Sequence, residues 1–325
     1  MSHRRKRQRK PARLVIAAVA VLVAAAVAVA VGRHETRDVA ARGPMPVHLP
    51  LGTESYVGVY NPRSPASFDG VADFTKATGV TPDLAMYYSS WYEPFRSAFA
   101  RTAASHGAVP VVQMEPSDIK IASIATGKYD AYLSSFASSV AAYKGPVILS
   151  FGHEMNGSWY SWGNTRTAPA AFVAAWRHIV TLFRNFGAKN VTWLWTVNII
   201  NKKKTVQKDY IPVPDAWWPG SKYVTWVGID GYYLKSPWTF APLFGPTIAA
   251  VKQLTRAPIL ISETGAAPEA NKAAKIANLF AGIRAYGLLG FVWFDAIGVR
   301  DWRLTTPAEY TAFRQAAKAY KRPVP

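Results

Sequence analysis

Short runs rich in β-branched and aromatic residues recur along the chain at intervals long enough to hold a helix. Eight such runs begin 25 to 44 residues apart from residue 56 onward. Amphipathic segments between them, such as 168–186 and 271–286, end before Gly187 and Gly287, residues typical of helix termini. The predicted strands are Tyr56–Tyr60, Leu84–Tyr88, Val109–Glu115, Val147–Glu154, Val191–Asn198, Trp226–Tyr233, Pro258–Gly265 and Gly290–Ala296.

Eight strands that alternate with helices over about 250 residues are typical of the α/β class with a closed (β/α)8 barrel, the TIM barrel. An open, doubly wound sheet is the alternative. It is disfavoured because no G-x-G-x-x-G motif follows the first strand and no P-loop occurs. We therefore predict one barrel domain at residues 52–325.

The N-terminal region has the pattern of a targeting segment. An unbroken apolar run covers residues 14–31, and seven cationic residues precede residue 14. A helix needs about 20 apolar residues to cross a bilayer, and cations before it favour a cytoplasmic N-terminus. We predict a basic cytoplasmic segment at 1–13, a transmembrane anchor at 14–31 and a linker at 32–51. A cleaved signal peptide is the alternative. Either places the barrel outside the cytoplasm, membrane-anchored or secreted.

Composition excludes several kinds of chemistry. The chain has no cysteine, which excludes disulfide scaffolds, thiolate zinc sites and cysteine nucleophiles. Its 38 Lys and Arg residues against 19 Asp and Glu residues give a net charge of +19. No nucleic-acid-binding motif accompanies this charge, so we expect no nucleic-acid partner. We interpret the compact run Lys202–Lys204 as a solvated loop, with attraction to anionic cell-wall polymers as the alternative.

Five carboxylates lie at the C-terminal ends of predicted strands. The C-terminal ends of barrel strands build the active site, so these side chains are expected to converge. The sequence has no H-E-x-x-H and no G-x-S-x-G motif, and its six histidines are scattered. The kind of chemistry that remains is acid–base catalysis by carboxylates. Cleavage of a glycosidic bond that is flanked by two carboxyl groups is an example. The carboxylates are Glu115, Glu154, Asp230, Glu263 and Asp295.

At 153–163, HEMNGSWYSWG, the chain resembles glycoside hydrolase family 26, the β-mannanase-type family of retaining barrel glycosidases. The resemblance continues through ISETG at 261–265 and WFD at 293–295, in the right order along the barrel. It implies a retaining β-glycoside hydrolase, an endo-β-1,4-mannanase, with Glu154 as general acid/base and Glu263 as nucleophile. No cofactor or metal follows from this mechanism, because two carboxylates suffice. We expect a monomer whose partner is a polysaccharide.

The resemblance also implies roles for residues around the two glutamates. His153 and Trp159 would contact the substrate, and Trp293 would form a second aromatic wall. Tyr232 would donate a hydrogen bond to the nucleophile, with Asp230 as a neighbouring support in the substrate site. Met114-Glu115-Pro116 departs from a typical mannanase, and 87–91 lacks a histidine that some mannanases use. Mixed-linkage β-glucan and xylan therefore stay open as substrates, as does an inactive carbohydrate-binding barrel.

Overall fold

The computed structural model describes residues 49, 56–201 and 211–320. The predicted segments at 1–13 and 14–31, nearly all of the linker at 32–51, and Lys202–Lys204 lie outside the described residues. No helix within the described ranges combines the length and apolarity that crossing a membrane requires.

The described residues form a closed barrel of eight parallel strands, in which each strand pairs with the next and the last pairs with the first. This confirms the predicted barrel, and most strand boundaries agree with the sequence pattern to within three residues. The strands are β1 Tyr56–Tyr60, β2 Leu84–Ser90, β3 Val109–Glu115, β4 Val147–Phe151, β5 Val191–Asn198, β6 Trp226–Asp230, β7 Ile259–Thr264 and β8 Gly290–Phe294.

Seven α-helices lie in the described part of the chain. Between β5 and β6 it contains two short 3₁₀ helices, Asp215–Trp217 and Ser221–Tyr223, instead of an α-helix. The α-helices are α1 Asp69–Thr78, α2 Ser97–Ser105, α3 Asp130–Tyr143, α4 Pro169–Asn185, α5 Phe240–Leu254, α6 Lys272–Ala285 and α7 Pro307–Tyr320.

The ends of α4 and α6 follow the sequence pattern. Gly187 and Gly287 have φ angles of 78° and 63°, in the left-handed region that glycine adopts without a Cβ clash. Their backbone N–H groups donate to the carbonyls of Arg184 and Arg284, which closes the last helical turns.

Strand alternation divides the apolar residues into two cores. Side chains that point outward pack against the helices, whereas those that point inward fill the barrel, among them Leu84, Ile148 and Trp226. A polar layer lies farther along the strands, built from the fully buried Gln113, Ser150, Thr196 and Ser262. A Cβ at Gly228 would lie 2.4 Å from the Ser262 hydroxyl, so this layer closes only around a glycine.

Strand β7 contains a bulge at its C-terminal end. Gly228 pairs with Leu260, but Asp230 pairs with Glu263, so β7 has one residue more than β6 over this stretch. The pairing of β7 with β8 shifts in the same place. A bulge re-aims side chains, and here both Ser262 and Glu263 turn inward.

Candidate active site

Glu154 lies in the turn after β4. The strand ends at Phe151, so the predicted strand Val147–Glu154 was too long at its C-terminal end. Glu154 has a φ of 56°, which costs a residue other than glycine about 1 kcal/mol. Its N–H donates to the Thr196 carbonyl of β5 at 3.0 Å, which fixes the turn to the barrel. The turn directs the carboxyl group into the barrel mouth.

Two donors hold the carboxyl group of Glu154. Asn198 Nδ2 donates to Oε1, and Trp159 Nε1 donates to Oε2 at 2.7 Å. The side chain is buried, and burial raises its pKa. The negative charge of Glu263 raises the pKa further, and the two donors lower it, to a result of about 8. Glu154 therefore carries a proton at neutral pH, as a general acid must.

Glu263 is held by two tyrosines. The Tyr232 hydroxyl donates to Oε1, and the Tyr88 hydroxyl donates to Oε2. Burial raises the pKa of Glu263 above its ordinary value, and both hydrogen bonds oppose this rise because they stabilise the ionised form. The contact expected from Tyr232 is present in the structure. Glu263 and Glu154 thus differ in their surroundings, with two hydroxyl donors at one and two N–H donors at the other.

His153 is a neutral, buried neighbour of the acid. Its Nε2 lies 3.0 Å from the Tyr160 hydroxyl, and burial lowers its pKa to about 3. The Tyr160 ring stacks on Trp162 at 4.3 Å, and Trp162 Nε1 donates to the His153 carbonyl at 2.7 Å. The predicted motif therefore folds back on itself, and its first tryptophan, Trp159, remains 43% exposed at the mouth.

Asp230 ends β6, where it pairs in register with Glu263 of β7. Its side chain is fully buried, and Oδ1 accepts a hydrogen bond from Ser262 Oγ at 2.6 Å. Burial and the charges of Glu263 and Glu154 raise its pKa well above the usual value. Asp230 supports the site from beside Glu263, and its fully buried carboxyl group is not exposed for a substrate to contact.

Comparison with known proteins agrees with this geometry. The sequence profile of glycosyl hydrolase family 26 matches residues 113–273, which include both glutamates. Over 270 residues, 78% of the chain, the sequence is 30% identical to Endoglucanase H of Acetivibrio thermocellus. The chain belongs to glycoside hydrolase family 26. It spans 29% of the length of Endoglucanase H.

Solved structures of family 26 proteins share the fold. The catalytic domain of a Bacillus sp. GH26 endo-β-1,4-mannanase has a TM-score of 0.64 and 15% identity, over 82% of this chain and 86% of that chain. Bacillus subtilis mannanase BCman has a TM-score of 0.59 and 17% identity, over 82% and 85%. At this low sequence identity, the similarity shows only that the fold is shared.

The position of Trp293 corrects one expectation drawn from the family 26 resemblance. Its side chain is fully buried, its Nε1 donates to the Trp302 carbonyl at 3.1 Å, and its ring packs against Phe313 of α7. In β8, Val292 points into the barrel, so Trp293 points outward to the helices. It is not an aromatic wall of the mouth. Phe294 occupies the inward position, 4.7 Å from Tyr60 between ring centroids.

Sequence reasoning assigned no role to two residues that contact Glu154 and Glu263. Tyr88 contacts Glu263, and Asn198 contacts Glu154. Strand alternation could have found Tyr88, because Leu84 and Met86 of the same strand point into the barrel. Asn198 ends β5 on the inward face, next to Asp230 of β6.

The five predicted carboxylates do not all converge. The pKa values of Glu115, Glu154 and Asp230 are all raised by the charge of Glu263, which places these groups together. Asp295 instead accepts hydrogen bonds from the Leu304 N–H and from Asn61, and thus fastens a loop. Within 56–201 and 211–320, no three histidine or carboxylate side chains form a group that could hold a metal ion.

Proposed function

We propose that the protein is a retaining β-glycoside hydrolase with Glu154 as general acid/base and Glu263 as nucleophile. The proposal rests on one observation. Two buried carboxyl groups lie in the barrel mouth, one held by N–H donors and the other by tyrosine hydroxyls. The pKa of Glu154 is about 8, and Glu263 accepts two tyrosine hydroxyls that stabilise its ionised form. A pair with one protonated and one ionised member is what double displacement requires.

In the first step, the Glu263 carboxylate attacks the anomeric carbon while Glu154 gives its proton to the glycosidic oxygen. The bond from the anomeric carbon to that oxygen breaks, and a glycosyl ester of Glu263 forms. Tyr88 and Tyr232 orient the attacking carboxylate through their hydrogen bonds. Trp159 and Asn198 hold the acid toward the leaving oxygen.

In the second step, Glu154 acts as a base. Formation of the ester removes the charge of Glu263, which raised the pKa of Glu154 in the free enzyme. The pKa of Glu154 therefore falls, so the ionised group can take a proton from water. The water oxygen bonds to the anomeric carbon, the ester bond breaks, and both carboxyl groups return to their starting states.

The substrate proposal is a β-1,4-linked glycan, with mannan as the primary candidate and endo action. Mixed-linkage β-glucan is the second candidate, supported by the 30% identity to Endoglucanase H and by Glu115-Pro116 after β3. Incubation with mannan, mixed-linkage β-glucan and xylan, followed by reducing-end assay, decides between them. Absence of turnover on all three would leave the carbohydrate-binding barrel as the better hypothesis.

Two variants test the catalytic roles. Glu263→Ala should abolish turnover of every substrate, because it removes the nucleophile. Glu154→Ala should lower turnover of the polymer by about 10²–10⁴-fold. Its effect should be much smaller on an aryl glycoside whose leaving group needs no proton. Nuclear magnetic resonance of the first product should show retained β-configuration. Inverted product, or full activity in either variant, would overturn the mechanism.

We also propose that the enzyme works outside the cytoplasm. The support is the apolar run at 14–31 and the seven cations before it. Fractionation of cells that express the full chain should recover it in the membrane or the medium. Recovery from the cytoplasm in soluble form would contradict this placement.

A further inference from the structure

Exposed apolar side chains concentrate at the mouth of the barrel. The large apolar residues that stay exposed in the described part of the chain all follow strands, with the exception of Phe186 at the end of α4. Segments that follow strands lie on the same face as Glu154 and Glu263. Such a concentration indicates a binding surface. The residues are Tyr92, Trp159, Val213, Leu234, Ile297 and Val299.

Tyr92 lies in a turn whose backbone conformation is unfavourable for tyrosine. The Glu93 N–H donates to the Ser90 carbonyl at 3.1 Å, and Tyr92, the third residue of this turn, has a φ of 72°. Turns with a positive φ at this position favour glycine or asparagine. Surrounding bonds hold the tyrosine there, since the Tyr132 hydroxyl donates to the Glu93 carbonyl at 3.2 Å. Backbone strain that neighbours maintain is characteristic of functional positions.

The Tyr92 ring is supported without being covered. It contacts Trp91, Tyr129 and Tyr132 at centroid distances of 6.3, 6.3 and 5.4 Å, each at an interplanar angle of 65°. None of these neighbours stacks flat on the ring, and the residue is 62% exposed. Trp91 and Tyr129 are themselves buried, so they form a firm base under the ring.

Glu115 of β3 lies beside the end of β2, which leads into the Tyr92 turn, and its carboxyl group interacts electrostatically with Glu263. Ser90 of β2 pairs with Glu115 of β3, and Tyr88, two residues before Ser90, donates to Glu263. Glu115 is half-buried, and within the described part of the chain its carboxyl group accepts no hydrogen bond. Burial and the charges of Glu263 and Glu93 raise its pKa to about 7. A carboxyl group with such open acceptor sites suits the hydroxyls of a sugar.

We propose that Tyr92 and Glu115 form a distal sugar-binding subsite over β2 and β3 that holds another sugar of the same β-glycan chain. The C–H face of that sugar packs on the exposed tyrosine ring, and its hydroxyls donate to the Glu115 carboxyl. The subsite rests on the proposed glycosidase function and defines one direction in which the substrate extends from Glu263.

Chain length is the variable that tests this subsite. We compare kcat/KM on a series of oligosaccharides of the cleaved polymer, for Tyr92→Ala, Glu115→Ala and the native protein. Both variants should lower kcat/KM on long oligosaccharides at least about fivefold, and Tyr92→Ala should leave kcat/KM on the shortest cleaved one unchanged. Phe186→Ala, an exposed aromatic residue at the other end of the barrel, is the matched control and should change nothing. Native kcat/KM on long substrates in either variant, or a uniform decrease at every length in Tyr92→Ala, would overturn the proposal.

Two further variants separate binding from folding. Tyr92→Gly removes the ring and relieves the positive φ, so it should fold at least as stably as the native protein and still lose activity on long substrates. Tyr92→Trp, which again supplies an aromatic ring, should retain activity on long substrates. Calorimetric titration of a long oligosaccharide into Glu263→Ala measures the subsite without turnover. The double variant Glu263→Ala/Tyr92→Ala should bind the oligosaccharide more weakly. Unchanged binding would overturn the subsite, and this result does not depend on whether the proposed function is correct.

Discussion

The indole nitrogen of Trp159 lies 2.7 Å from Oε2 of Glu154, so the tryptophan that follows the acid in sequence is also bonded to it. Its ring remains 43% exposed at the mouth of the barrel. Trp159 therefore combines two functions that substitution can separate: the N–H influences the protonation of Glu154, and the ring face is available to a sugar.

Trp159→Phe tests the first of these functions. The hydrogen bond from Nε1 lowers the pKa of Glu154, so its loss should raise that pKa. Glu154 then keeps its proton to higher pH, so the alkaline limb of kcat/KM, which the native pKa of about 8 places near pH 8, should move upward. Trp159→Ala should move the limb equally and also raise KM. An alkaline limb that stays in place in Trp159→Phe would contradict the role of the N–H.

The tyrosines at the nucleophile predict an effect at the other limb. Tyr88→Phe and Tyr232→Phe each remove a hydroxyl that lowers the pKa of Glu263. The acidic limb should move to higher pH, and kcat should fall about tenfold, as for loss of a hydrogen bond to a charged group. Tyr87→Phe is the control, because Tyr87 belongs to the outer core. A shift as large in Tyr87→Phe would indicate a general disturbance of β2 instead.

The strands and helices could be predicted because their signals are local. Both β3, Val109–Glu115, and β5, Val191–Asn198, have the bounds that the sequence predicts. The direction of Trp293 could also have been predicted, since alternation in β8 places Val292 inside the barrel and Trp293 outside. The resemblance to family 26 indicated Trp293 as an aromatic wall of the site, whereas Phe294 is the residue that points into the mouth.

The inward position of Glu263 could not be predicted from alternation. In a regular strand, Leu260 and Ser262 would point inward and Glu263 outward. The bulge in β7 reverses this for Glu263, and a bulge depends on pairing with β6 and β8. The left-handed turn at Glu154 depends likewise on a hydrogen bond to Thr196 of another strand. Long-range pairing, which has no local signal, sets the positions of both glutamates.

The raised pKa of Glu154 predicts a link between stability and pH. Its pKa is about 8 in the folded protein against 4.5 for the ordinary group, so the folded state binds more protons between these values. Stability that depends on this proton is present at pH 4.5 and is lost as the pH rises through 8. Glu154→Gln removes the titration. Its melting temperature should exceed the native value by at least about 2 °C at pH 9 and match it near pH 5.

The control for this experiment is Glu269→Gln, because that carboxylate is 59% exposed in a surface ion pair with Arg300. Its melting temperature should follow the native value at both pH values. A difference between Glu154→Gln and the native protein that did not grow with pH would show that the carboxyl group is ionised throughout this range.

Asp230 predicts tolerance of an uncharged replacement. The carboxyl group is fully buried, its raised pKa favours the uncharged form, and it accepts one hydrogen bond from Ser262. Asp230→Asn keeps the shape and the neutral charge, so activity and melting temperature should stay near native. Asp230→Ala should lower the melting temperature, because it leaves a cavity and an unpaired Ser262 hydroxyl. If Asp230→Asn behaved like Asp230→Ala, the native carboxyl group would have to be ionised.

The neighbours Trp293 and Phe294 should respond in opposite ways, because alternation places one among the helices and the other in the mouth. Trp293→Ala should lower the free energy of unfolding by about 3–5 kcal/mol and leave KM and the pH profile of the folded enzyme near native. Phe294 packs against Tyr88 and Tyr232, whose hydroxyls bond the nucleophile, so Phe294→Ala should chiefly lower kcat. Denaturant unfolding and steady-state kinetics on both variants measure the contrast. A large rise in KM in the mild variant Trp293→Phe, at unchanged stability, would show that Trp293 belongs to the substrate site.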